Sequence, residues 1–253
     1  MNILVLVLSF IPVILILLYL INIYKEDKEY KKRCLLLFGG GALSCGIVIL
    51  LALPLNLAWG LLKFNEISPL INDAFHTFVL AAVLEEFAKW LMIRRGIKKH
   101  KGEPHLLTFL AFGGSVSIGF DILESIIYGL DSSIVEIIVR GVSIPHVAFG
   151  FIMAFFMYKT QKSENKAYMI LGFAIPIILH GTYDFSLTKS MSELYSDLSV
   201  ALAFSCVIIN FVVLIIGLIK VRKEKRLIIK PISKEEISEE KQLETNEDKI
   251  NEK

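Results

Sequence analysis

Seven long apolar stretches, at about residues 2–24, 34–57, 73–93, 106–129, 138–158, 167–188 and 198–220, restrict what this chain can fold into. A helix that crosses a bilayer needs roughly 20 mostly apolar residues, because lipid offers open backbone groups no hydrogen bonds. The pattern predicts an all-α fold: a polytopic membrane helix bundle of about seven transmembrane helices. A hydrophobic content of 55% and a mean hydropathy of +0.62 exclude an ordinary soluble domain. Met1 to Tyr24 has no basic n-region and no small-x-small cleavage site, so it reads as a retained span rather than a signal peptide. In the second stretch, Gly39, Gly40, Gly41 and Ser44 are small enough to let helices approach closely.

Charge fixes the expected orientation. Basic clusters follow the first stretch (Lys28, Lys31, Lys32, Arg33), the third (Arg94, Arg95, Lys98), the fifth (Lys159, Lys162) and the seventh (Arg222, Lys225, Arg226). The loops between carry only Lys63 and Lys189. Alternation of this kind puts the N-terminus outside and the C-terminus in the cytoplasm of a multi-pass cell-membrane protein. Residues 1–221 form the expected membrane domain, and 222–253 a charged cytoplasmic tail, flexible or a solvated helix. The net charge of +2 leaves no single-sign field, which argues against nucleic acid as a partner. Cys34, Cys45 and Cys206 lie in apolar stretches without CxxC spacing, so they signal neither disulfides nor a cysteine metal site.

Polar residues interrupt these stretches where they cost most. Glu85, Glu86, Lys89, Asp121, Glu124, Arg140, His146, His180 and Asp184 all fall in spans three to six. Each charge at mid-membrane costs about 2.5–3.5 kcal/mol, or about 20 kcal/mol for the seven carboxylates and cations together. Such a load persists only if the groups face one another, an ion or a water-filled cavity. Lys89 lies at i,i+4 from Glu85 and at i,i+3 from Glu86, so it can neutralise either, as a site residue or as a helix-end salt bridge. Asp121 and Glu124 share a face, as do His180 and Asp184, where the carboxylate can orient the imidazole. Pro145 is expected to bend its span and aim His146 inward. Arg140 reads as an interfacial or structural cation, and His76 as interfacial. Counted by helical rise, His146 and His180 match in depth, whereas Glu85 and Glu124 converge only with tilt, a longer third helix or a re-entrant start.

At these residues the chain resembles the PrsW family of bacterial intramembrane proteases. The resemblance runs over about 76–188, through Glu85-Glu86-Phe87-Ala88-Lys89, Gly119-Phe120 with Glu124, His146 with Gly150, and His180-Gly181-Thr182-Tyr183-Asp184-Phe185. Ser125 stands where asparagine is expected. The family is distantly similar to CAAX prenyl endopeptidases, but Phe120-x-x-x-Glu124 replaces their Phe-x-x-x-His and favours the PrsW branch. The resemblance implies a site-one protease that clips a single-pass membrane anti-sigma factor near its extracytoplasmic face.

Proteolysis in lipid requires water, a base and positive charge at the oxyanion. Glu85 or Glu86 is the expected base, with Glu86 preferred for its spacing to Lys89. Glu124, His146 and His180 are the expected ligands of a zinc ion with an open position, and Asp184 orients His180. In a metal-free version the two histidines stabilise the oxyanion. Two other classes remain open from the residues alone: a proton- or cation-coupled transporter, which should show inverted repeats that are not visible here, and a non-catalytic membrane scaffold.

Overall fold

The computed structural model describes residues 3–24, 26–100, 105–129, 137 and 144–228. Among them every regular element is helical. Helices α1 (Ile3–Ser9) and α2 (Ile11–Ile21) continue one another as a single apolar run, with Pro12 in the first turn of α2, where its missing N–H costs nothing. Asp27 caps α3 (Lys28–Leu61) by accepting the Tyr30 N–H at 2.9 Å. At about 1.5 Å per residue, the 34 residues of α3 exceed the thickness of a hydrocarbon core of about 30 Å.

Next comes one long helical run in three parts: α4 (Pro69–Ala74), a π-helical segment (Phe75–Val83) and α5 (Leu84–Lys98). Helices α6 (Leu106–Gly129), α7 (Pro145–Ser163), α8 (Ala167–Ser186), the short α9 (Lys189–Leu194) and α10 (Ser196–Ile228) complete the bundle. Five helices are long and apolar enough to cross a membrane: Leu4–Ile21, Lys28–Leu61, Leu106–Tyr128, Ala167–Ser186 and Ser196–Arg226. The remaining expected spans correspond to Pro69–Lys98 and Pro145–Ser163, which carry Glu85, Glu86, Lys89, His146 and the flanking lysines. Arg140, the start of the expected fifth span and the tail beyond Ile228 lie outside the described residues.

Helix α6 is the axis of the bundle. Its apolar window is 89% buried, against 22–33% for the other four, so α6 packs protein on all sides while its neighbours turn leucines and isoleucines outward. Small residues make this packing possible. A Cβ on Gly119 would collide with the Phe38 carbonyl, and one on Gly41 with the Val116 carbonyl, so α3 and α6 cross almost backbone to backbone. Gly113 and Gly150 do the same for α6 and α7.

Two local expectations change. Pro145 does not bend a helix but opens one: it occupies the first turn of α7, behind Ile144 in the left-handed region at φ 43°. Proline suits this position because its missing N–H would be unpaired there anyway. The third span does not end near residue 93 but continues to Lys98. At about 1.5 Å per residue, Glu85 then sits about 20 Å from that end, the same depth as His180 measured from Ala167. The longer helix removes the mismatch in depth for Glu85.

Candidate active site

Helices α5, α6, α7 and α8 each bring polar side chains to one point beside the π-helical segment. Glu85, Glu86, Lys89, Asp121, Glu124, His146 and His180 are all buried. Lys89, at the centre, donates from Nζ to Glu86 Oε1 at 2.6 Å, the i,i+3 contact that its spacing allows. The same Nζ lies 2.7 Å from His146 Nδ1. An ammonium only donates, so Nδ1 accepts, and His146 carries its hydrogen on Nε2. That nitrogen donates to Glu124 Oε2 at 2.6 Å, with Asp121 Oδ1 at 4.0 Å. Lys89 also lies over the Phe120 ring, 4.3 Å from its centroid, which favours a cation cut off from water.

His180 holds the other side. Its Nδ1 contacts Glu86 Oε1 at 2.7 Å, and its Nε2 contacts Asp184 Oδ2 at 3.1 Å, with Glu85 Oε2 at 3.8 Å. Asp184, one turn along α8, therefore orients the imidazole as its spacing suggests. The His180 ring stacks on Phe149 at 5.5 Å and meets the His146 ring edge-on at 5.3 Å. Gly181 lets α8 close in, because a Cβ there would strike the Phe78 ring of the π-helical segment.

A cavity of about 680 Å³ opens beside this network. Glu85, Glu124 and Asp184 line it, together with His76, Tyr128 and Thr188; Glu86, fully buried behind Glu85, does not. The adjacent glutamates thus face different surroundings. Glu86 is bonded to Lys89 and His180, whereas Glu85 Oε2 is buried without a hydrogen-bond partner.

All six expected site residues, Glu85, Glu86, Glu124, His146, His180 and Asp184, therefore come together. Reasoning from the sequence missed that Lys89 reaches α7, that Asp121 joins the His146 side, and that His76 faces the cavity. Helical spacing ties Lys89 to Glu85 and Glu86 and Asp121 to Glu124, but carries no signal of a partner on another helix; nothing in the local sequence signals Tyr128.

The donor set fits a divalent cation. Ligand-capable atoms of Glu85, Glu86, His146 and His180 all lie within 4.8 Å of one another, and those of Asp121, Glu124 and His146 form a second such group. The expected trio of Glu124, His146 and His180 divides between these groups, which share His146. Glu86 Oε2, like Glu85 Oε2, is a buried oxygen without a partner. Carboxylates outnumber the one lysine, so a bound dication would also balance charge. Mixed imidazole and carboxylate ligands suit zinc-type chemistry.

A family model described as "PrsW family intramembrane metalloprotease" matches residues 29–217, which include every one of these residues. The chain belongs to the PrsW family. It is 32% identical over 127 residues to Protease PrsW of Bacillus subtilis (strain 168), covering 48% of this chain and 58% of that protein. It is 32% identical over 132 residues to Protease PrsW of Shouchella clausii (strain KSM-K16), covering 50% and 60%. A longer match, 28% over 190 residues, joins it to Protease PrsW of Clostridioides difficile (strain 630), covering 71% and 77%. The chain thus spans less than two thirds of the length of the Bacillus and Shouchella relatives. No solved structure matches it. Family and apolar helices together make it a multi-pass membrane protein.

Proposed function

We propose that this chain is an intramembrane protease that hydrolyses a peptide bond of a membrane-anchored substrate. The observation that carries this reading is the contrast between the two glutamates. Glu86 is fixed through Oε1 by Lys89 and His180, while Glu85 lines the cavity with its Oε2 free of hydrogen bonds. That is the arrangement expected of a general base beside a held carboxylate.

The substrate peptide lies in the cavity against Glu85. Glu85 takes a proton from the attacking water and returns it to the leaving amine. Glu86, with Nδ1 of His146 and of His180, would hold a zinc ion, which would require Lys89 to give up its contact to His146. When bound, the zinc supplies Lewis-acid activation of the water and the scissile carbonyl. Glu124 and Asp184 keep His146 and His180 in the required tautomer and orientation. Lys89 keeps the excess of buried carboxylates from repelling one another.

In the membrane, all seven sequence spans cross the bilayer with the N-terminus outside and the C-terminus cytoplasmic. The basic clusters after Ile21, at Lys98, at Lys162 and at Arg226 then fall on one side. The cavity, lined by the C-terminal halves of α3, α6 and α8, opens in the extracytoplasmic half of the cell membrane. That placement fits site-one cleavage of a single-pass anti-sigma factor near its outer face.

The test is cleavage of candidate single-pass substrates by purified protein in reconstituted membranes. Glu85→Gln and His180→Ala are expected to abolish product while the protein still inserts and folds. Full cleavage by either variant would remove that residue from the mechanism.

A further inference from the structure

A second cavity, of about 810 Å³, lies between α2 and α10, apart from the candidate active site. Leu15, Ile16 and Tyr19 of α2 and Leu218 of α10 form its walls, and Arg222, Lys225 and Arg226 form its mouth. Along α10, Leu218, Arg222, Lys225 and Arg226 stand at i, i+4, i+7 and i+8, which places them on one helix face. The groove therefore changes from apolar to cationic along about 12 Å of α10, counted at about 1.5 Å per residue. This happens at the charged end of the candidate span Ser196–Arg226, where a spanning helix would meet the lipid headgroups. No acidic side chain lines it. No salt bridge among the described residues engages Arg222, Lys225 or Arg226. Lys225 instead leans over the Tyr19 ring at 5.5 Å, and this tethers its ammonium to the groove.

We propose that this groove is a binding site for one anionic phospholipid. Arg222, Lys225 and Arg226 hold the headgroup phosphate, and an acyl chain lies against Leu15, Ile16 and Leu218. A bare basic patch would attract anionic lipid loosely through its surface field. Here an apolar slot continues directly beneath the cations, so one molecule satisfies both ends at once. Guanidinium groups suit the phosphate because they form bidentate hydrogen bonds to it. Bound there, the lipid bridges the first and last spans, both of which pack on α6.

The test uses full-length protein in nanodiscs of mixed phosphatidylcholine and phosphatidylglycerol, followed by native mass spectrometry of the lipid that co-purifies. Phosphatidylglycerol is expected to be retained over phosphatidylcholine. Replacing Arg222, Lys225 and Arg226 by Gln is expected to weaken that preference about fivefold per cation removed. Leu218→Trp, which fills the slot and keeps every charge, is expected to reduce retention as well, and it gives an answer even if the triple variant fails to fold. Inorganic phosphate is expected not to compete, since it lacks the chain. The proposal is overturned by equal retention of the two lipids, by full retention in Leu218→Trp, or by displacement with inorganic phosphate. It is also overturned if ending the chain after Ile228 raises retention, because the acidic residues that follow would then be the natural occupant.

Discussion

Replacing Lys89 by Met keeps the hydrophobic stem and removes the ammonium, which tests the centre of the network. Lys89 and Glu86 are both fully buried, and Lys89 makes contacts of 2.6 Å to Glu86 and 2.7 Å to His146. Breaking one partner out of a buried ion pair typically costs about 3–5 kcal/mol. In a membrane protein the unfolded state keeps its helices, and the Glu86 contact is local at i,i+3. Part of that interaction therefore survives unfolding, and the contact to His146 on α7 carries the loss. Hydrogen bonds between membrane helices are also weaker than the soluble figure suggests. The expected cost is therefore about 3 kcal/mol, the lower end of the range. Glu86→Gln is expected to destabilise as well, by stranding Lys89. Because both variants break the same contact, the double variant should cost less than their sum by about 1 kcal/mol or more. Unfolding in mixed micelles with SDS measures all four proteins. Additivity within about 0.5 kcal/mol would refute the coupling, and with it the idea that Lys89 exists to compensate Glu86.

Other expectations follow from the same geometry. Gly119→Ala should destabilise by about 1–3 kcal/mol or more, since its Cβ meets the Phe38 backbone, whereas Gly39→Ala meets nothing and should be neutral or stabilising by up to about 1 kcal/mol; micelle unfolding of the pair checks this. A strong chelator should abolish cleavage reversibly, with zinc restoring it and elemental analysis finding metal on the wild type but less on His180→Ala. His100, outside the spans against Phe112, has its pKa held below the ordinary 6.5 by burial and by Arg33. The unfolded chain therefore binds a proton first. The contribution of His100 to stability is full above about pH 6.5, falls as the pH drops, and levels off below the folded value. Thermal denaturation of His100→Gln across mildly acidic pH should show a flatter profile than the wild type.

The site was largely legible in the sequence because lipid makes charge conspicuous. Glu85, Glu86, Glu124, His146, His180 and Asp184 stand out only because their surroundings are apolar, and helical spacing already paired His180 with Asp184 and offered Lys89 to either Glu85 or Glu86. The roles of the two glutamates were not legible. Adjacent residues point about 100° apart on a helix, and which one faces the cavity depends on how α5 is rotated against α6 and α8. Helix ends were obscured for a related reason. Arg94, Arg95 and Lys98 mark a membrane boundary by their charge, while the helix itself runs on through them. The start of α7 at Pro145 depends on its neighbours, because a proline inside an apolar run reads equally as a bend or as a beginning.

The π-helical segment from Phe75 to Val83 gives the third helix two inward faces. His76 and Glu85 are nine positions apart, and at about 100° per position an α-helix would set them on opposite sides. The wider i→i+5 turns rotate less per residue, and both side chains reach the same cavity. Periodicity counted inward from the membrane surface therefore loses its phase before it reaches Glu85. A residue near the rim that reads as an ordinary interfacial histidine shares a wall with Glu85, a buried carboxylate of the candidate site.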